Sequence, residues 1–113
     1  MSNLKIERIN SSIQREISYI LLNEVKDSNI KFVTVTAVKT TNDLGHAKIY
    51  VTTLKEDQKK ETMNALRNAK GFIRTELANR IDIRHIPALE FIYDESIEYG
   101  KRIENKIKEI HEN

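Results

Sequence analysis

Apolar residues recur along the chain with two different periods, and these periods predict its secondary structure. From residue 4 to about residue 25 they recur every three or four residues, which predicts an amphipathic helix. These positions are Ile6, Ile9, Ile13, Ile17, Ile20, Leu21 and Val25. Residues 31–40 are rich in β-branched side chains and predict a strand. Residues 46–54 alternate between apolar and polar, which predicts a second strand, and the turn chemistry of residues 41–45 joins the two in an antiparallel hairpin.

The second half of the chain returns to the helical period. An apolar stripe from about residue 56 to residue 81 contains Met63, Leu66, Ile73, Leu77 and Ile81. The single proline, Pro87, marks the entry to a third strand at residues 89–93. The acidic residues after that strand begin a last helix, predicted at about 95–111, whose apolar line is Ile97, Ile103, Ile107 and Ile110.

The predicted order of elements is α-β-β-α-kink-α-β-α, an α+β fold. A strand followed by helices and another strand favours a right-handed crossover, so the third strand should run parallel to its neighbour. We therefore expect a three-stranded mixed sheet in a single domain of residues 1–113, with helices on one face. The alternation in the hairpin leaves a polar set on the open face, namely Thr34, Thr36, Lys48, Tyr50 and Thr52.

The kink is predicted at Ala69, Lys70 and Gly71, which we call the corner. A glycine in the interior of a helix lowers the stability of the helix by about 1 kcal/mol relative to alanine. Lys70 lies four residues after Leu66, so an unbroken helix would place it in the apolar stripe. We expect two short helices that meet at the corner and turn Lys70 outward. The free N–H groups of a helix start beside Arg67 and Arg74 would suit a phosphate.

Composition narrows the class of protein. The chain has no cysteine, which excludes disulfides and thiolate chemistry, and its net charge is only +2. Eleven Lys/Arg against six acids between residues 28 and 84 make the middle of the chain basic. No signal peptide or membrane span is evident, so we expect a soluble intracellular protein.

The sequence offers no chemistry for catalysis. His46, His85 and His111 have no metal-ligand spacing, and no phosphate loop, dinucleotide fingerprint or nucleophile elbow is present. We therefore expect no cofactor or metal.

The candidate functional residues are cations that would contact nucleic-acid phosphates. They are Arg67, Lys70, Arg74, Arg80, Arg84, Arg8, Arg15, Lys39 and Lys48. Arg8 and Arg15 are seven residues apart and share a helix face, where they would widen an RNA footprint or pair with acids. Tyr50 on the open sheet face would stack on a base, together with Phe32 if that ring faces the same way, or would serve cross-strand packing.

The predicted layout resembles a KH domain of the second type, which clamps single-stranded nucleic acid with a GXXG loop between two helices. The corner is shorter than GXXG and lacks its first glycine. The chain resembles the ribosome-binding factor A family, which has an Ala-x-Gly kink in place of the GXXG loop. The resemblance rests on the order and spacing of RIN (8–10), IQREI (13–17), VTVTAV (33–38), DLGHAKIYV (43–51), AKGFIRTELA (69–78), RHIPALEF (84–91) and DESIEYG (94–100).

The resemblance implies a cytoplasmic, non-enzymatic assembly factor. Such a protein binds free small (30S) ribosomal subunits, assists late maturation and processing of 16S rRNA near its 5′-terminal helix, and is linked to cold adaptation. We expect a monomer without membrane or small-molecule partners. Two alternatives stay open: a KH-like module for another single-stranded RNA, and an adaptor whose open sheet face binds a protein.

Overall fold

The computed structural model describes residues 4–30, 32–54 and 56–96. Its elements are α1 (Leu4–Asn23), β1 (Thr34–Thr40), β2 (His46–Thr52), a short 3-10 helix (Glu56–Gln58), α2 (Lys59–Arg80) and β3 (Ala88–Tyr93). The predicted last helix, about 95–111, lies outside the described residues except for its start at residues 95 and 96. Within the described segments, no helix combines the length and apolarity that a membrane crossing requires.

The sheet has the predicted mixed topology, which is confirmed. Its strand order is β1-β2-β3; β1 and β2 are antiparallel, and β2 and β3 are parallel. A β-bulge between Val35 and Ala37 shifts the register, and both Val35 and Val38 are buried although they are three residues apart. At the bulge, the Thr36 hydroxyl donates a hydrogen bond to the Asp94 carboxylate, with an oxygen–oxygen distance of 2.6 Å. This bond ties β1 to the residue that follows β3.

The β1–β2 turn is stabilised by one carboxylate. Asp43 Oδ1 accepts hydrogen bonds from the Thr41 hydroxyl at 2.7 Å and from the Gly45 N–H at 2.9 Å. The bond from Thr41 and then the bond from Gly45 lower the pKa of the Asp43 carboxyl. Leu44 takes the left-handed conformation, with a φ of 60°. The turn fixes the hairpin register in which Lys39 lies opposite Lys48.

One face of the sheet carries the core. The core-facing residues of β2, Ala47, Ile49 and Val51, are fully buried, whereas Lys48 between them is exposed. Ile13 and Ile17 of α1 and Leu66, Ile73 and Leu77 of α2 join the same buried cluster. The two helices therefore lie on one face of the sheet, as predicted, and the opposite face is left to polar and half-buried side chains.

The corner does not divide α2 into two short helices, and this part of the prediction is wrong. A single α-helix continues through Ala69, Lys70 and Gly71. Ala69, which is half-buried, occupies the stripe between Leu66 and Ile73. Lys70 lies at the edge of that stripe and is exposed, because its long side chain reaches water from an uninterrupted helix.

Replacing Gly71 with alanine should stabilise the protein by about 0.5–1 kcal/mol, because alanine restricts the unfolded chain and favours the helix. The φ of Gly71 is not positive, and an added Cβ would meet no atom within 4 Å. Urea unfolding followed by circular dichroism measures the change.

Ala78→Gly, at an exposed position of the same helix, is the matched control and should destabilise by about 1 kcal/mol or less. Destabilisation by Gly71→Ala would show instead that the corner needs a conformation that only glycine allows.

Candidate nucleic-acid interface

Helix α1 has an apolar ridge that fixes its rotation on the sheet. Ile9, Ile13, Ile17 and Ile20 are buried at spacings of four, four and three residues. One flank of the helix is bonded to β1: the Gln14 side-chain amide donates to the Val35 carbonyl at 3.2 Å, and Asn10 Oδ1 accepts from the Thr40 N–H at 3.0 Å. The remaining flank faces away from β1 and carries the basic residues.

A second stripe on α1 is cationic. Its members recur at spacings of three, four, three and four residues, which places them on one side of a helix. They are Lys5, Arg8, Ser12, Arg15 and Tyr19. The three cations of this stripe are exposed, and the ring of Tyr19 is 47% exposed. The side chains of this stripe are therefore available to a partner, whereas the isoleucine ridge is not.

The cationic stripe forms one wall of a surface groove of about 420 Å³, which we call the α1 groove. The other wall comes from the end of α2 and the connector that follows it. The groove is lined by Lys5, Arg8, Ile9, Ser12, Arg15, Glu16, Arg80, Ile81, Asp82 and Ile83. Four cations against two carboxylates leave the lining basic, which favours an anionic ligand.

Arg80 is held in place at the end of the α1 groove. Its Nη2 donates to Glu24 Oε1 at 3.2 Å, and its Cζ lies 4.5 Å from the centre of the Tyr19 ring. Stacking on an aromatic ring and a carboxylate contact orient a guanidinium and leave other N–H groups of its fork available. Arg80, which is remote in sequence from Arg8 and Arg15, thus lines the same groove as these two residues.

The corner cations have different surroundings. Arg67 is exposed and donates a long bond of 3.4 Å to Asn64, and Lys70 is exposed with no hydrogen bond or ion pair to any described residue. Arg74 instead donates to two backbone carbonyls of the connector, to Ile86 at 2.6 Å and to Pro87 at 3.2 Å. Arg74 therefore fastens the α2–β3 connector. Its predicted contact with RNA stays a prediction.

The other predicted cations, Lys39, Lys48 and Arg84, belong neither to the corner nor to the lining of the α1 groove. Lys39 and Lys48 are directly opposite each other in the hairpin, and the Lys39 ammonium lies 5.5 Å from the centre of the Tyr50 ring. Arg84 is exposed in the connector. Tyr50 is half-buried between its register partners Ala37 and Ile92. This arrangement favours cross-strand packing for Tyr50.

The second candidate stacking residue, Phe32, precedes β1 and does not belong to the sheet face. It lies with Leu22 and Leu54 in a separate groove at the end of the hairpin. Within the described segments no group of three or more metal-ligating side chains occurs.

These features define a KH-like α+β domain with cations on its helical side, and comparison with known proteins specifies the family. The family model for ribosome-binding factor A matches residues 5–107. The chain is 47% identical over 114 residues to ribosome-binding factor A of Staphylococcus epidermidis, a match that covers 100% of this chain and 98% of that relative. The chain belongs to the ribosome-binding factor A family.

Solved structures show the same fold. The crystal structure of ribosome-binding factor A from Thermus thermophilus has a TM-score of 0.69 and 24% identity, and the match covers 77% of this chain and 93% of that one. A homology model of the Thermus thermophilus protein, fitted into a cryo-EM map of its complex with the 30S subunit, has a TM-score of 0.62 and 23% identity. That match covers 84% of this chain and 97% of the other.

Sequence reasoning missed part of the α1 groove. Lys5 and Ser12 complete the spacing that Arg8 and Arg15 begin, so the sequence held a signal for both. Asp82 and Ile83 belong to the connector, and no periodicity indicates that this connector lies beside α1.

Arg74→Ala should destabilise the protein by about 1–2 kcal/mol, because the Ile86 and Pro87 carbonyls lose a charged donor. Arg67→Ala is the matched control on the same helix and should change the free energy of unfolding by less than about 0.5 kcal/mol. Urea titrations of the two variants measure the difference. Equal effects would contradict a structural role for Arg74.

Proposed function

We propose that this protein is a non-enzymatic assembly factor that binds free small ribosomal subunits and assists late maturation and processing of 16S rRNA. The proposal extends to the region of the 5′-terminal rRNA helix and to growth in the cold. It places the protein in the cytoplasm as a monomer. Membership of the ribosome-binding factor A family, along residues 5–107, is the observation that carries the proposal.

The cationic side chains of the helical side support this function physically. Phosphate contacts from Lys and Arg supply most sequence-independent affinity for nucleic acid. Arg67 and Lys70 are exposed on α2, and Arg8 and Arg15 are exposed on α1. Lys70 and Arg80 are ten residues apart on α2, so the two clusters are separated by about 15 Å along the helix axis. An rRNA segment is long enough to contact both.

In the proposed mechanism the protein holds a late-folding rRNA segment while correct pairing forms. Phosphate contacts fix position without reading sequence. The mature subunit no longer presents the segment in that geometry, and the protein is released. The complex between the Thermus thermophilus protein and the 30S subunit supports a small-subunit partner for this chain.

A sucrose gradient of cell extract, blotted for this protein, tests the proposal. The signal should lie in the fractions of free small subunits and be absent from translating ribosomes.

Raising the salt concentration should release the protein, because each phosphate contact on single-stranded RNA contributes a slope of about −0.7 to log K against log[salt]. A signal confined to the top of the gradient at low salt would contradict the proposal. Association that is indifferent to salt would favour a protein partner on the open sheet face.

The Arg67→Glu/Lys70→Glu variant tests the corner separately. Both side chains are exposed, so the fold should be retained, and most of the signal should leave the small-subunit fractions. Glu61→Gln/Glu76→Gln, which removes acids from the same helix, is the control and should not weaken the association. Unchanged association of the double glutamate variant would remove the corner from the mechanism.

A further inference from the structure

The α1 groove is a second cationic site, distinct from the corner. Its cations come from elements that are remote in sequence, with Lys5, Arg8 and Arg15 on α1 and Arg80 at the end of α2. The Tyr19 ring and the Glu24 carboxylate hold Arg80 before any ligand is present. Such preorganisation lowers the entropic cost of binding a partner, because the Arg80 side chain is already ordered.

We propose that the α1 groove binds the sugar–phosphate backbone of a single RNA strand, with Arg8 and Arg15 as its principal contacts. The inference rests on the proposed function and assigns that function a contact surface. Arg and Lys side chains and serine hydroxyls are the groups that typically bind nucleic-acid phosphates, and the lining supplies all three.

The shape of the surface favours a polymer over a small anion. A second shallow groove adjoins the first and is lined by Leu4, Glu7, Arg8, Ser11, Ser12 and Arg15. Arg8, Ser12 and Arg15 belong to both grooves, so the two arginines form a ridge between them. Their Cα atoms are seven residues apart, about 10 Å along α1. A chain of phosphates can cross this ridge and contact the linings of both grooves, an extent that one inorganic phosphate does not cover.

The α1 groove also contains carboxylates, and removing one of them should change RNA binding in the opposite direction to removing the arginines. Glu16 and Asp82 line the groove beside the cations and repel a phosphate backbone. Asp82 is exposed and has no ion pair to any described residue. Neutralising it should therefore strengthen binding without removing a structural contact.

The experiment is fluorescence anisotropy of a labelled single-stranded RNA oligonucleotide titrated with the full chain. Arg8→Glu/Arg15→Glu should weaken binding at least tenfold. Arg8→Gln/Arg15→Gln should weaken it less and reduce the slope of log K against log[salt] by about 1.4, the value for two phosphate contacts. Asp82→Asn should tighten binding. Circular dichroism melting of each variant verifies that the fold is retained.

Lys26→Glu/Lys60→Glu is the matched control, because it reverses two exposed lysines that line neither groove. It should bind the oligonucleotide with an affinity within about threefold of the unmodified chain. An equal loss in this control would show a general charge effect and overturn the assignment. Unchanged binding by both arginine variants, or displacement of the RNA by an acidic peptide at lower concentration than by unlabelled RNA, would overturn it too.

The sucrose gradient separates this inference from the proposed function. If the unmodified chain and Arg8→Glu/Arg15→Glu both migrate with free small subunits, the α1 groove is not the contact and the proposed function stands. If the unmodified chain does not migrate with subunits although the oligonucleotide results hold, the proposed function fails and the groove remains an RNA site.

Discussion

The structure depends on the burial of one isoleucine ridge. Ile9, Ile13, Ile17 and Ile20 project from α1 into the core, and each buried side chain of this size contributes about 1.5–3 kcal/mol. Because helical side chains have fixed angular positions, burying the ridge also decides where every other residue of α1 points. Asn10 and Gln14 meet β1, and Lys5, Arg8 and Arg15 are left on the opposite flank. The orientation of the basic surface is thus a consequence of hydrophobic packing.

The same reasoning explains why α2 needs no break at the corner. A lysine at the edge of an apolar stripe does not have to be buried or removed from the helix, since its aliphatic stem covers apolar surface while its ammonium stays in water. Ala69 packs against the core between Leu66 and Ile73, and Lys70 beside it is exposed. Gly71 lies on an exposed side of the helix, where the structure gives no steric reason for a glycine.

The sequence was sufficient for the architecture and for the family, and less so for the site. Alternation in β2 and the three- and four-residue spacing in the helices follow directly from strand and helix geometry, so the sheet and the core face were predictable. The helix break was not predictable in the same way, because spacing alone does not distinguish a buried lysine from one at the edge of the stripe. Arg74 shows a second limit. Its role depends on the Ile86 and Pro87 carbonyls, and backbone acceptors leave no trace in a sequence pattern.

The assembly of the α1 groove depends on a contact between distant segments. Arg80 is brought to α1 because the end of α2 packs beside it, with the Arg80 guanidinium on Tyr19 and Glu24. Tyr19 belongs to the same helical stripe as Lys5, Arg8 and Arg15. This stripe therefore supplies the cations of the α1 wall and also contacts Arg80, the cation of the α2 wall. The corner cations lie about 15 Å further along α2. Two separated groups of cations on the helical side match an extended anion better than a compact one, and this geometry supports the nucleic-acid partner proposed for the chain.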